Sequence, residues 1–209
     1  MQRLFICAAM IGLALPALGQ KLPCGVDYNT IRNMSSAEAL AFLARAQPIA
    51  TAYEQRLCIR FALESLDTRN KPDEIPLLLS YLTFYRPATP LEKEGACFDC
   101  ALIYGQYPAI VDLAVEGAPA REPLIDIIRR SNSTLERSNA TKALLLSFRR
   151  PQTAADGVRL LRQKAAQSAD AFEAEHLVEA TQFSLSLTPC RRLGNACLRA
   201  YNESANAEQ

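Results

Sequence analysis

Leucine and alanine recur three and four residues apart along nearly the whole 209-residue chain, and a proline, glycine or asparagine interrupts the pattern every few turns. Side chains at that spacing share one face of an α-helix, and both residue types are good helix formers. A strand would need period-two alternation and enrichment in Val, Ile and Thr, which almost no segment has. The fold class is therefore all-α, built from short helices.

The breaks set the order of the elements. After an irregular arm with Pro23 and Gly25, Ser35-Ser36-Ala37-Glu38 has the form of a capping box ahead of Leu40 and Leu43. Pro48 predicts a helix over 49–66 in which Tyr53, Leu57 and Phe61 share a face. Asp73 is placed to cap the next helix, with Ile75, Leu78, Leu79, Leu82 and Tyr85 as its buried stripe. Further helices are expected over 91–104 and 109–115, then from a start bracketed by Pro119 and Pro123, then over 135–148, 155–164, 171–187 and 193–201.

Some of these helices repeat as pairs. Leu124 and Ile127 match Val158 and Leu161 at an offset of 34, and Ala140 and Leu144 match Ala174 and Val178 at the same offset. An antiparallel pair recurring at this interval resembles HEAT and related α-solenoid units over roughly residues 76–187. The resemblance implies a short HEAT-like solenoid of helical hairpins, each stabilised by stacking on its neighbours. An irregular helical bundle is the alternative, because Leu/Ala helices arise in many bundles.

Arg3, the apolar run Leu4 to Leu15 and the small residues of Pro16-Ala17-Leu18-Gly19 have the order of a secretory signal peptide cleaved after Gly19. The run is too short for a comfortable membrane span, and no later segment approaches that length. The expected organisation is a signal peptide over 1–19 and a single all-helical domain over 20–209, exported to the periplasm or secreted. Six cysteines follow the signal: Cys24, Cys58, Cys97, Cys100, Cys190 and Cys197. An even count in an exported chain reads as three disulfides, for which about 15 pairings can be drawn. The simplest set is Cys24–Cys58, Cys97–Cys100 and Cys190–Cys197; a crossed set joining Cys58 to either member of the central pair stays open.

Motifs with catalytic chemistry are sparse. Cys97-Phe98-Asp99-Cys100 has redox spacing, but Glu92, Glu94 and Asp99 would raise its thiol pKa and no strand precedes it, so a structural disulfide is favoured. His176 is the single histidine and shares a helical face with Glu173 and Glu179. A carboxylate-bridged metal centre would need a second E-x-x-H, and neither HExxH nor GxSxG occurs. Glu92 with Glu94, or Asp112 with Glu116, could in principle serve glycoside hydrolysis, yet no local context raises the pKa of one member selectively. No Gly-rich phosphate loop is present, and no cofactor or metal is expected. Asn33, Asn132, Asn139 and Asn202 match the glycosylation pattern, which matters only in a cell with that machinery.

Charge is the more informative pattern. Without Arg3 the chain holds 22 basic and 22 acidic residues, so steering toward nucleic acid is not expected. Locally, Arg121 to Lys164 carries ten basic and four acidic residues, while 168–189 holds Asp170, Glu173, Glu175 and Glu179 and no basic one. Arg129, Arg130, Arg137, Arg149, Arg150, Arg159 and Arg162 form a candidate belt for an acidic protein or envelope component. The plainer account is solvated faces and basic helix C-termini. These features point to a non-enzymatic binding or scaffold protein, an inhibitor or immunity-type protein being one form of it. A helical envelope-polysaccharide hydrolase using acidic residues is the alternative, and a CxxC redox protein a weaker one.

Overall fold

The computed structural model describes residues 34–67, 71–88, 106–148, 154–187, 190 and 195–206. The expected signal peptide, the arm with Cys24, the helix over 91–104 with Cys97 and Cys100, and Arg149 and Arg150 lie outside these residues. Among the described residues every regular element is helical. They are α1 (Ser36–Leu43), α2 (Tyr53–Glu64), α3 (Ile75–Ser80), α4 (Pro108–Glu116), α5 (Ala118–Arg130), α6 (Thr134–Leu146), α7 (Ala154–Gln167), α8 (Ala171–Ser186) and α9 (Asn195–Asn206). No described helix is long and apolar enough to cross a membrane.

Local chemistry accounts for most boundaries. Ser35 and Glu38 close the capping box that starts α1. Gly117, at φ 73°, sits between α4 and α5 in a conformation that few other residues adopt without strain. Three expectations shift. Helix α2 starts at Tyr53 rather than just after Pro48, with Ala52 extended and Ile49 79% exposed. Asp73 is not a cap; it lies in a 3-10 turn, Pro72–Glu74, that runs directly into α3. Pro123 lies inside α5 instead of bracketing its start, and the helix absorbs one missing N–H near its first turns.

One apolar core runs from Ala39 and Leu43 of α1 through Leu78, Leu113, Leu124 and Leu144 to Leu177 and Ala180 of α8. Each fully buried leucine contributes about 1.5–3 kcal/mol, which the individually marginal helices need. Helix α1 packs on α2, α4 on α2, α3 and α6, α5 on α6, and α8 on α5, α6 and α7. Helix α9 packs on α7 over a separate cluster of Ala154, Ala155, Val158 and Ala200, closed by the Cys190–Cys197 disulfide. Cys58 is also disulfide-bonded. Because Cys190 and Cys197 are joined to each other, the partner of Cys58 lies outside the described residues.

Burial in α5–α6 and α7–α8 corresponds more closely at an offset of 37 than at the expected 34. At 37 many buried positions coincide: Ala120 with Gly157, Leu124 with Leu161, Ile128 with Ala165, Ala140 with Leu177, Ala143 with Ala180, and Ser147 with Ser184, whereas buried Ile125, Thr141 and Leu145 fall on Arg162, Val178 and Gln182, which are half-buried or exposed. The three-residue connectors coincide as well, each ending in an N-cap, Ser133 or Asp170, whose side chain accepts backbone N–H groups. At 34, fully buried Ala140 and Leu144 would fall on half-buried Ala174 and Val178. The offsets differ by three residues, about 300° of helix rotation, so apolar spacing alone matches both partially.

Under α4, Asp112 is buried close to Glu64, Glu74 and Glu116. Arg60 (2.7 Å) and Arg86 (3.4 Å) pair with Glu64, and Glu116 accepts the Lys71 backbone N–H at 3.1 Å. Burial pushes the Asp112 carboxyl well above the usual carboxylate range, and the three glutamates add to the rise. A carboxyl raised on folding stabilises the protein below its unfolded pKa, and that contribution disappears as pH climbs through the folded value. Asp112→Asn is therefore expected to widen its stability advantage over the parent from acid to neutral pH, by up to about 1.4 kcal/mol per pH unit. Thermal melts across pH 4 to 8 read this; a constant difference would refute it. Replacing Cys190 and Cys197 by Ser is expected to cost about 2–3 kcal/mol through the reopened loop. Faster amide exchange in α9 should accompany that loss, and unchanged exchange would show the bond to be redundant.

Candidate functional site

Short helices packed end-on leave C-terminal carbonyls without intrahelical partners. Here side chains from other helices reach them. The Tyr81 hydroxyl lies 2.7 Å from the Leu43 carbonyl oxygen and 2.9 Å from that of Ala46, its single proton shared at the end of α1. Burial pushes this phenol up to about 12. Asn139 Nδ2 donates to the Leu82 carbonyl at 3.0 Å, and Arg121 Nη2 to the Ser147 carbonyl at 3.3 Å. His176 Nδ1 lies 2.8 Å from the carbonyl oxygen of Arg129, in the last turn of α5. Because that oxygen only accepts, Nδ1 carries the hydrogen.

Asn139 and His176 correspond at the 37-residue offset and both are buried; Asn139 bonds the Leu82 carbonyl in the turn after α3, and His176 the Arg129 carbonyl in α5. The histidine thus has a structural task. It also lines a groove of about 300 Å³ between α6 and α8, together with Arg137, Ser138, Glu179, Ala180 and Phe183. Arg137 reaches over the α5–α6 connector to the Ser131 carbonyl at 3.0 Å and pairs with Glu179 at 3.2 Å. Beside this groove, Phe172 stacks on His176 with ring centres 4.1 Å apart. Leu135 and Phe172, equivalent positions in the first turns of α6 and α8, are 45% and 51% exposed.

Every described member of the arginine belt has an intramolecular counterpart. Arg129 pairs with Asp126 and Glu173, Arg130 with Glu173, Arg137 with Glu179 and Arg159 with Asp156. Arg162 lies over the Tyr201 ring at 4.9 Å. The acidic stretch of α8 is what meets the basic ends of α5 and α6, so the two charge blocks seen in the sequence face each other. Such partly exposed pairs are worth about 0–1 kcal/mol each, and those made by Glu173 and Glu179 help to orient α8.

Of the carboxylate pair Asp112 and Glu116, both members are buried, at 5% and 2% exposure. The raised Asp112 is a feature the sequence did not offer, because two of the charges acting on it, Glu64 and Glu74, come from other helices. Asn139 is fully buried and so closed to glycosylation in the folded chain. Among the described residues no group of three or more His, Cys, Asp or Glu side chains is arranged to hold a metal ion. A second groove, of about 640 Å³, runs beside Phe42, Ile49 and Ile59, with disulfide-bonded Cys58 in its wall. Comparison with known proteins found no match to a family model, a curated protein or a solved structure.

His176→Ala is expected to cost about 1–3 kcal/mol by leaving the Arg129 carbonyl unsatisfied. His176→Asn, which installs the residue used at the equivalent position 139, should recover more than half of that loss. Urea denaturation of the pair checks it; equal losses would remove the carbonyl bond as the cause.

Proposed function

We propose that the chain is a non-enzymatic binding or scaffold protein of the periplasm or extracellular space, built as a short HEAT-like solenoid and acting in the manner of an inhibitor or immunity protein. The observation that carries this is a correspondence at 37 residues between α5–α6 and α7–α8, in which many buried positions, the three-residue connector and the side-chain N-cap return. A repeated hairpin sets like helices side by side and so makes a continuous lateral surface, which suits recognition better than enclosure of a reacting group. The α6–α8 face is that surface, with an apolar residue protruding from each unit. The arginines belong to its edge; their ion pairs are partly exposed and could be exchanged for pairs with an acidic partner.

The hydrolase alternative draws on the raised carboxyl of Asp112, the state that a general acid requires, but that group has little access to solvent. The two are separated by incubating the oxidised mature chain with envelope polysaccharides and, in parallel, with envelope extract. The expected outcome is no turnover of any polymer and a stoichiometric complex that survives gel filtration. Turnover abolished by Asp112→Asn would overturn the binding assignment.

A further inference from the structure

Cys58 stands in the wall of the groove of about 640 Å³ formed by the end of α1, the connector after it and α2. It is disulfide-bonded to a cysteine outside the described residues. Disulfide geometry holds the two Cα atoms within about 4.4–6.8 Å, so the segment carrying the partner passes along this same face of α2. Phe42, Ala46, Ala50 and Ile59 give the groove apolar walls. Of the cysteines that follow the expected signal, Cys24, Cys97 and Cys100 are open as partners.

The chain beside each candidate separates them. Tyr53, Arg56 and Arg60 share one stripe of α2, and all three bond carbonyls of residues 85–88. The Tyr53 hydroxyl donates to Ala88 at 2.7 Å, Arg60 Nη1 to Pro87 at 2.8 Å, and Arg56 Nη2 to Tyr85. The stretch holding Cys97 and Cys100 therefore departs from this stripe, and it returns at Gln106, whose carbonyl accepts the Arg86 N–H at 2.9 Å. Cys58 is turned about 140–160° away from the stripe around the helix axis. The chain ahead of α1 stands on the Cys58 side instead, because Met34 packs against the cluster of Leu57, Cys58 and Phe61. Residues 25–33 between Cys24 and Met34 span up to about 30 Å when extended, ample for the bond. We infer that Cys24 is the partner of Cys58 and that the arm from Lys21 to Asn33 docks along the α1–α2 groove. Leu22, Pro23 and Val26 are the apolar residues it brings to the groove's walls, and Cys97 and Cys100 are left to bond each other. Closing each bond takes two protons and two electrons from a pair of thiols, and an oxidising disulfide accepts them as it is reduced to two thiols. The bond also encloses α1 in a covalent loop, clamping it against α2 once the chain is oxidised.

The test uses the full oxidised chain. Tryptic digestion without reduction is expected to release peptide 22–32 joined to peptide 57–60, with 94–121 as a separate fragment closed on itself. Peptide 57–60 recovered on 94–121 would overturn the pairing. Amide hydrogen exchange reads the docking: residues 22–33 and 45–51 should exchange about tenfold or more slowly in the oxidised parent than in Cys24→Ser. That variant should keep the parent's helical circular dichroism and, once denatured, react with a thiol reagent at Cys58. If it does not fold, the reference is a free synthetic peptide of residues 21–33, whose exchange the bonded arm should fall well below. An arm that exchanges as fast as the free peptide overturns the docking even where the Cys24–Cys58 bond is found.

Discussion

The interior of this protein depends on satisfying carbonyl groups at the ends of short helices. A helix of eight to sixteen residues exposes a large fraction of its backbone at its termini, and here several termini are packed against neighbours where water cannot serve them. The solution is to send a polar side chain from another helix: Tyr81 to the end of α1, Asn139 to the turn after α3, His176 to the end of α5, Arg121 to the end of α6. Leucines supply the driving force, but these bonds are directional and fix which helix end meets which helix middle. A core of alanine and leucine alone would permit many arrangements of nearly equal energy.

Charge plays a similar orienting part at the surface. The acidic face of α8 lies against basic residues of α5 and α6, so the segments that look like opposed binding patches in the sequence are partners within the chain. What remains outward on that side is a neutral pair, Arg137 and Glu179, framing a groove, with Leu135 and Phe172 beyond it.

Much of the helical layout was legible because proline, glycine and capping residues act locally. Ser35 with Glu38, Gly117, Ser133 and Asp170 mark boundaries through bonds spanning a few residues. Pro48 misled, because a proline permits a helix start without requiring one, and Asp73 fell within a 3-10 turn. The helix pairs were legible, but the interval at which their buried positions match was not. Shifting a helix by three residues leaves its apolar stripe only about 60° out of place; the polar positions, Asn139 with His176 and Ser147 with Ser184, distinguish the offsets. The groove and the Asp112 cluster were illegible for a different reason. Each is assembled from helices distant in sequence, and a paired or raised group looks no different in sequence from a solvated one.

Helix α9 covers one side of α7. Ala154, Ala155 and Val158 lie under it, and the Cys190–Cys197 bond ties the covering segment in place. Reduction would release that segment, so the concealment of this apolar cluster depends on oxidation as well as on sequence.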